Sequence, residues 1–410
     1  MTTPATTPRL LARPGTPGLL ALLLVVAGSV AWRRGEVFAG GVDPVVAAKA
    51  LVSLLALGLA ALLDARRGTG RRVGTASLVA LAVLLTASVL GAAEHGTLLP
   101  SAVVAVRVAL LAVTVRLLVR ALGAQEVLVA TVWACGVVGG LAALTGLPSI
   151  AEGRLFGGIP PLNPNEIALL AGIVLLGAAW PALLGQGRPA HAVVATAALG
   201  VVWLTGSRTS LAVALLAVLV AAVRLRRPQV GLVVGLGAAV TAGVLVLAST
   251  DLVVSFAERT DASGNSTLDS RFIAWSAALD WADSAWQWAM GAGLSVKLIP
   301  VAGQWWNEQL LDSSWVSVFV QAGLVGLLVA AGWVVACARG LRTLPPQLWP
   351  LAAGLLCFVV VRSLLESGLF DATPALVVFL TLALAGERGT REDVAVPADV
   401  PRSQAVGSRG

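Results

Sequence analysis

Long apolar runs, broken by short polar or basic interruptions, dominate the chain, and most are long enough to form a helix that crosses a bilayer. Continuous stretches rich in Leu, Ala and Val recur near residues 16–32, 44–63, 73–93, 101–121, 126–147, 165–184, 190–205, 209–223, 230–254, 314–337, 347–362 and 373–386. A spanning helix needs about 20 mostly apolar residues; the seventh and eighth runs are short by that measure. The runs do not alternate apolar and polar positions as lipid-facing strands do, so a closed barrel is excluded. The pattern predicts an all-α polytopic membrane protein with about twelve transmembrane helices, by length and hydropathy. One long hydrophilic segment, 255–313, interrupts it.

Composition agrees and adds a direction. Of 410 residues, 58% are hydrophobic and 12% charged, with a mean hydropathy of +0.90, outside the range of water-soluble chains. Lys and Arg are retained on the cytoplasmic side of short loops. With the N-terminus inside, about 18 of the 28 basic residues fall on the inner side, among them Arg66, Arg67, Arg71, Arg72, Arg116, Arg120, Arg188, Arg224, Arg226, Arg227, Arg339 and Arg342. The outer or in-span minority is Arg33, Arg34, Lys49, Arg107, Arg154, Arg208, Arg259, Arg271, Lys297 and Arg362. The expected location is the cytoplasmic (inner) membrane, multi-pass, with both termini cytoplasmic and the long loop outside. The net charge of +7 is then a record of topology, with no nucleic-acid partner implied. Cys135, Cys337 and Cys357 all fall in apolar runs, where a thiol packs as a small hydrophobe. His95 and His191 fall on opposite sides of the membrane, so no metal site is expected. The tail from 387 to 410 reads as disordered.

Polar residues gather on the outer side in four places. In the long loop, Asp269 or Ser270 is placed to cap a helix running to Met290, with Phe272, Trp275, Leu279, Ala282 and Trp286 on one face. Such a helix lies on the membrane surface, and Arg271 opens it. A second segment, 153–172, clusters Gly, Pro and Asn around Asn165. The turn LTGSRTSL holds Arg208 between two membrane helices; an Arg there needs a partner or a polar cavity, and snorkelling to the interface is the alternative reading. A fourth segment, RSLLESGLFDATP, offers Arg362, Glu366 and Asp371, for which pairing between helices is the simpler explanation. Trp305, Trp306 and Trp315 suit either stacking on sugar rings or the membrane interface. Glu308 stands nearby as a base or a sugar-hydroxyl partner.

These residues resemble the O-antigen ligases and related lipid-linked-glycan polymerases. The resemblance rests on four segments in order: LNPNEIALLAG at 162–172, LTGSRTSLAVALL at 204–216, SRFIAWSAAL with GAGL within 270–294, and DSSWVSVFVQAGLVGLLV at 312–329. It covers roughly 150–380, so the chain divides into N-terminal transmembrane helices (1–150), a ligase-like region with its extracytoplasmic loop (151–386) and the tail. The resemblance implies a metal-independent glycosyltransferase without a cofactor. It takes a glycan from an undecaprenyl-pyrophosphate carrier and passes it to a hydroxyl of a saccharide or lipid acceptor. In that family two arginines hold the pyrophosphate, one in the SR turn and one opening the loop helix; they correspond here to Arg208 and Arg271. The family usually ends the loop with a His eleven residues before a Gly of the next span; counting back from Gly323 gives Asp312 here. Asp312 is then the candidate base, although it also suits the N-cap of the next helix. The set of candidate residues is thus Asp312 and Glu308 for catalysis, and Arg208, Arg271, Asn165, Trp305, Trp306 and Arg362 for substrate. A secondary transporter or flippase for a lipid-linked or small polar substrate is the competing class. Such proteins typically carry repeated halves and midplane polar sites, and no repeat is visible here.

Overall fold

The computed structural model describes residues 14–33, 43–67, 71–223, 267–301 and 307–387, with backbone alone for 267–270. Eleven apolar helices form the bundle among the described residues: α1 (Thr16–Ser29), α2 (Pro44–Arg67), α3 (Ala76–Glu94), α4 (Leu98–Leu122), α5 (Ala124–Gly146), α6 (Pro164–Leu183), α7 (Pro189–Leu204), α8 (Arg208–Ala222), and, after two loop helices, α11 (Ser314–Gly340), α12 (Trp349–Arg362) and α13 (Pro374–Gly386). Each coincides with a predicted run to within a few residues. The predicted span at 230–254, the loop start at 255–266 and the tail from 388 lie outside the described residues.

Six of these helices are long and apolar enough to cross a membrane, and five are shorter apolar helices. The protein is membrane-embedded and all-α. The shortest helix, α13, shows why length alone underrates such segments. Nearly all of its residues are buried, packed by α4, α5, α11 and α12, so its backbone is satisfied and covered by protein rather than lipid. At the other extreme α2 exposes Leu51, Leu54, Leu55 and Leu62, an apolar face left uncovered by the other described residues.

Contacts define two ends of the bundle. At one end Arg67 pairs with Glu126 at 3.4 Å, Arg120 pairs with Asp64, and the Glu387 carboxylate accepts from the Ala76 and Ser77 amides at the start of α3. At the other end meet the last turn of α1, the first turns of α2, α6 and α13, and the segment leading into α11.

The loop is built differently from the single surface helix the sequence predicts. The helix begins at Thr267, ahead of both predicted caps, and runs only to Leu279 (α9); a second, α10 (Ala285–Met290), follows a break at 280–284. Ser284 causes the restart, since its hydroxyl caps the second helix by accepting from the Gln287 amide. The face turned to the protein lies beside the apolar stripe that the sequence reading assigns to the membrane surface. Ala274 and Ala278 are buried, while Phe272 is 60% and Leu279 68% exposed. Ile273, Ala277, Ala278 and Trp281 pack with Ile299, Leu311 and Phe319 in a small second core. A two-stranded hairpin, β1 (Leu298–Pro300) with β2 (Glu308–Leu310), pairs Ile299 with Gln309 and completes the loop.

α10 docks into a break in α11. Gly323 has φ +65 and ψ −165 inside that helix, a conformation only glycine adopts without strain. A Cβ on Gly323 would meet the Ala289 carbonyl group at 2.2 Å. We therefore expect Gly323→Ala to destabilise the protein by at least about 1 to 2 kcal/mol from the backbone conformation alone, read as a lower melting temperature in detergent.

Candidate active site

A cavity of about 620 Å³ opens among the helix ends that carry the loop, lined by charged side chains from both halves of the sequence. The carboxylate of Glu366, only 7% exposed, is the junction of one wall. Arg271 Nη2 donates to its Oε1 at 3.2 Å, and Asn165 Nδ2 donates to its Oε2 at 2.9 Å. Arg362 Nη2 stands 3.8 Å from the same carboxylate. Arg362 also donates to the Asn165 carbonyl at 3.0 Å and to the Ser210 hydroxyl at 3.3 Å. Four elements, α6, α8, α9 and α12, are thereby tied to one negative charge.

Local sequence explains how each side chain is aimed. Asn165 sits in the first turn of α6, whose start is fixed by Pro164 and by a reciprocal cap between Asn163 and Glu166. Gly206, at φ +65, turns the chain into α8, and Arg208 is that helix's first residue, exposed, with Ser207 before it. The Ser207 hydroxyl bonds that of Ser210, the residue Arg362 reaches. The 362–373 segment is locked onto the start of α11 by Ser314, which donates to the Glu366 carbonyl and accepts from the Leu369 amide.

Asp312 completes the constellation, 3.6 Å from Arg271 Nε. The capping alternative is not realised: the N-cap of α11 is Ser313, without a side-chain cap bond, and the Asp312 carboxylate faces the guanidinium instead. Its side chain is 44% exposed and lines the cavity. The partial burial it has raises its pKa, with Arg271 pulling the other way. Burial raises that of Glu366 too, opposed by Arg362 and Arg271.

The structure thus brings together Asp312, Arg271, Asn165 and Arg362, of which all but Arg271 line the cavity. Arg208 opens the helix that carries Ser210 and is likewise not a lining residue. Glu308 is placed elsewhere, exposed at the edge of the hairpin. Trp305 and Trp306 lie outside the described residues. Trp315 is engaged within the protein, donating to the Ser363 hydroxyl at 3.0 Å and stacking edge-on against Phe370. Pairing between separate elements, as expected for the fourth segment, is seen for Glu366 with Arg271 and for Asp371 with Lys297, whereas Arg362 and Glu366 approach each other within the segment itself.

Sequence reasoning missed two things. One is the central position of Glu366, for which a lone Glu in a polar turn gives no signal. The other is the far wall of the cavity, made by Trp32, Lys49, Arg107 and Glu166. There a signal existed: Lys49 and Arg107 are cations inside apolar helices, which mark functional sites more often than not. In comparisons with known proteins, no protein-family model matches the chain and no curated protein matches it.

Removing one partner from a buried ionic network leaves the others uncompensated. Glu366→Gln keeps the shape and is expected to cost about 3 kcal/mol of stability, measured as a fall in thermal midpoint; an unchanged midpoint would contradict this role.

Proposed function

We propose that the protein is a glycosyltransferase of the O-antigen ligase or glycan polymerase type, acting in the cytoplasmic membrane on a lipid-linked glycan donor. The observation that carries this reading is the Arg271–Asp312 pair at the edge of a charged cavity: a forked cation and a partly desolvated carboxylate, side by side, contributed by the loop helix and the loop end. Arg271 and Arg208 hold the pyrophosphate of the carrier, since forked guanidinium donors match its oxygens and can stabilise leaving-group charge without a divalent cation. An acceptor hydroxyl oxygen attacks the anomeric carbon of the donor glycan, and its proton passes to the Asp312 carboxylate. The bond from that carbon to the pyrophosphate oxygen breaks, its electron pair staying with the prenyl pyrophosphate. The raised pKa of Asp312 makes it a better proton acceptor than an ordinary aspartate.

In this reading the chain crosses the membrane about twelve times, with both termini in the cytoplasm and the cavity facing out. Two features support that orientation. The basic residues Arg66, Arg67, Arg120, Arg188, Arg339 and Arg342 sit at or beside the helix termini away from the cavity, as the positive-inside bias requires. The exposed apolar side chains Phe272 and Leu279 on α9 suit a helix bordering the bilayer surface. A charged cavity open at one end of the bundle favours chemistry on an outer-leaflet lipid over alternating access.

Arg208→Ala and Arg271→Ala are each expected to abolish glycan transfer in reconstituted membranes while the protein still inserts; full activity of both at normal protein level would overturn the clamp. For Asp312, Asn should be far worse than Glu. Because burial raises the Asp312 pKa, the base is lost to protonation as pH falls, so the acid limb of the wild-type rate profile should lie above the unperturbed value of about 3.9.

A further inference from the structure

Among the described residues, two aromatic side chains line the cavity, Trp32 and Phe370. Phe370 is buried, and the rings of Trp315, Trp333 and Phe379 pack around it. Trp32 is half-buried in the segment that follows α1, and no other aromatic ring among the described residues stacks on it. Its place is fixed from two sides. The indole Nε1 donates to the Ala27 carbonyl at 2.8 Å, and the adjoining Ala31 amide donates to Glu166 Oε1 at 3.3 Å, at the start of α6. A tryptophan that anchors a protein at the membrane interface turns its N–H toward the headgroups. This one turns its N–H back onto its own helix, which leaves ring carbon for the cavity.

The wall around the ring is polar but balanced in charge. Arg33 meets Asp43 at 3.0 Å, Lys297 meets Asp371, and Arg362 Nη2 stands 3.8 Å from Glu366. Lys49, 5.9 Å from the centre of the Trp32 ring, is repelled by Arg107 and attracted by Glu166 and Asp43, while Asp371 attracts Arg107. The lining cations and carboxylates are equal in number. Such a wall offers both donors and acceptors to hydroxyl groups, which can use either. An added anion finds no cation there without a carboxylate already beside it, and its desolvation goes uncompensated.

We propose that Trp32 is the platform of a sugar subsite in this cavity, specific for an uncharged sugar ring; this rests on the glycan-transfer reading above. The CH face of a pyranose is apolar and fits the flat carbon surface of an indole, while its hydroxyls reach the paired side chains beside it. The negative pyrophosphate stays at the rim with Arg208 and Arg271, neither of which lines the cavity. Asp312 touches Arg271 on one side and lines the cavity on the other. The subsite therefore holds the saccharide whose hydroxyl gives its proton to Asp312, and it discriminates against uronic acids and other anionic sugars.

The test is saturation-transfer NMR on the full chain in nanodiscs of neutral lipid, with the methyl glycosides of glucose, galactose, mannose and N-acetylglucosamine and with methyl glucuronide. Wild type is expected to saturate the ring protons of at least one neutral glycoside and not those of the glucuronide. Trp32→Leu, which keeps apolar bulk without a flat face, should weaken binding by about fivefold, and Trp32→Phe should keep most of it. Equal signals in wild type and Trp32→Leu, no neutral glycoside bound by wild type, or a glucuronide bound as well as the glucoside would each overturn the proposal. Trp32-dependent sugar binding, together with a lipid-linked glycan pool left unchanged by deletion of the protein, would keep the subsite and overturn the transfer reading instead.

Discussion

A single buried carboxylate holds the candidate site in shape. Glu366 receives Arg271 from the loop helix, Asn165 from the start of α6 and the charge of Arg362 from its own helix end. Each of these groups is costly in an apolar bundle on its own, and each is tolerable because the others are present. The backbone around Glu366 is held as firmly as its side chain, through the bonds of Ser314 to Glu366 and Leu369. Those same bonds anchor the segment that presents Asp312. The positions of Asp312 and Arg271 are therefore set by one local structure, as the proposed chemistry requires of a reactive pair.

The rest of the loop is organised around that anchor. Gly323 breaks α11 so that α10 can seat against it, and Gly291 meets the backbone of Gln321 and Ala322 from the other side. The chain then passes between α4 and α11, where Ser295 bonds Ser101 and the Gln321 side chain donates to the Val296 carbonyl. The loop reaches back to helices before residue 150, and so does the cavity, which Lys49 and Arg107 line. The N-terminal helices are part of the site and not only its support.

Hydropathy made the helices legible, because continuous apolar runs admit one solution in a bilayer, and the eleven predicted runs among the described residues all appear. Arg208, Arg271 and Arg362 drew attention for a related reason, since a cation at the end of an apolar helix must be compensated, whereas Asp312 was singled out by the family resemblance. The break at Ser284 was harder to see, since Trp286 and Ala282 continue the apolar spacing of Phe272 and Leu279 across it, and periodicity carries no record of a restarted cap. Glu366 was read only as one of three charges, with Arg362 and Asp371, that pair between helices. Its reach to Arg271 and Asn165 depends on tertiary packing across 95 and 201 residues, which no local pattern encodes.

The central claim is transfer from a lipid-linked donor by this charged end of the bundle. It is tested most directly by deleting the protein in its native host and analysing lipid extracts by mass spectrometry. The account predicts accumulation of undecaprenyl-pyrophosphate-linked glycan, restored to the normal pool by the wild-type chain but not by Arg271→Ala. An unchanged pool of lipid-linked glycan in the deletion strain would contradict it.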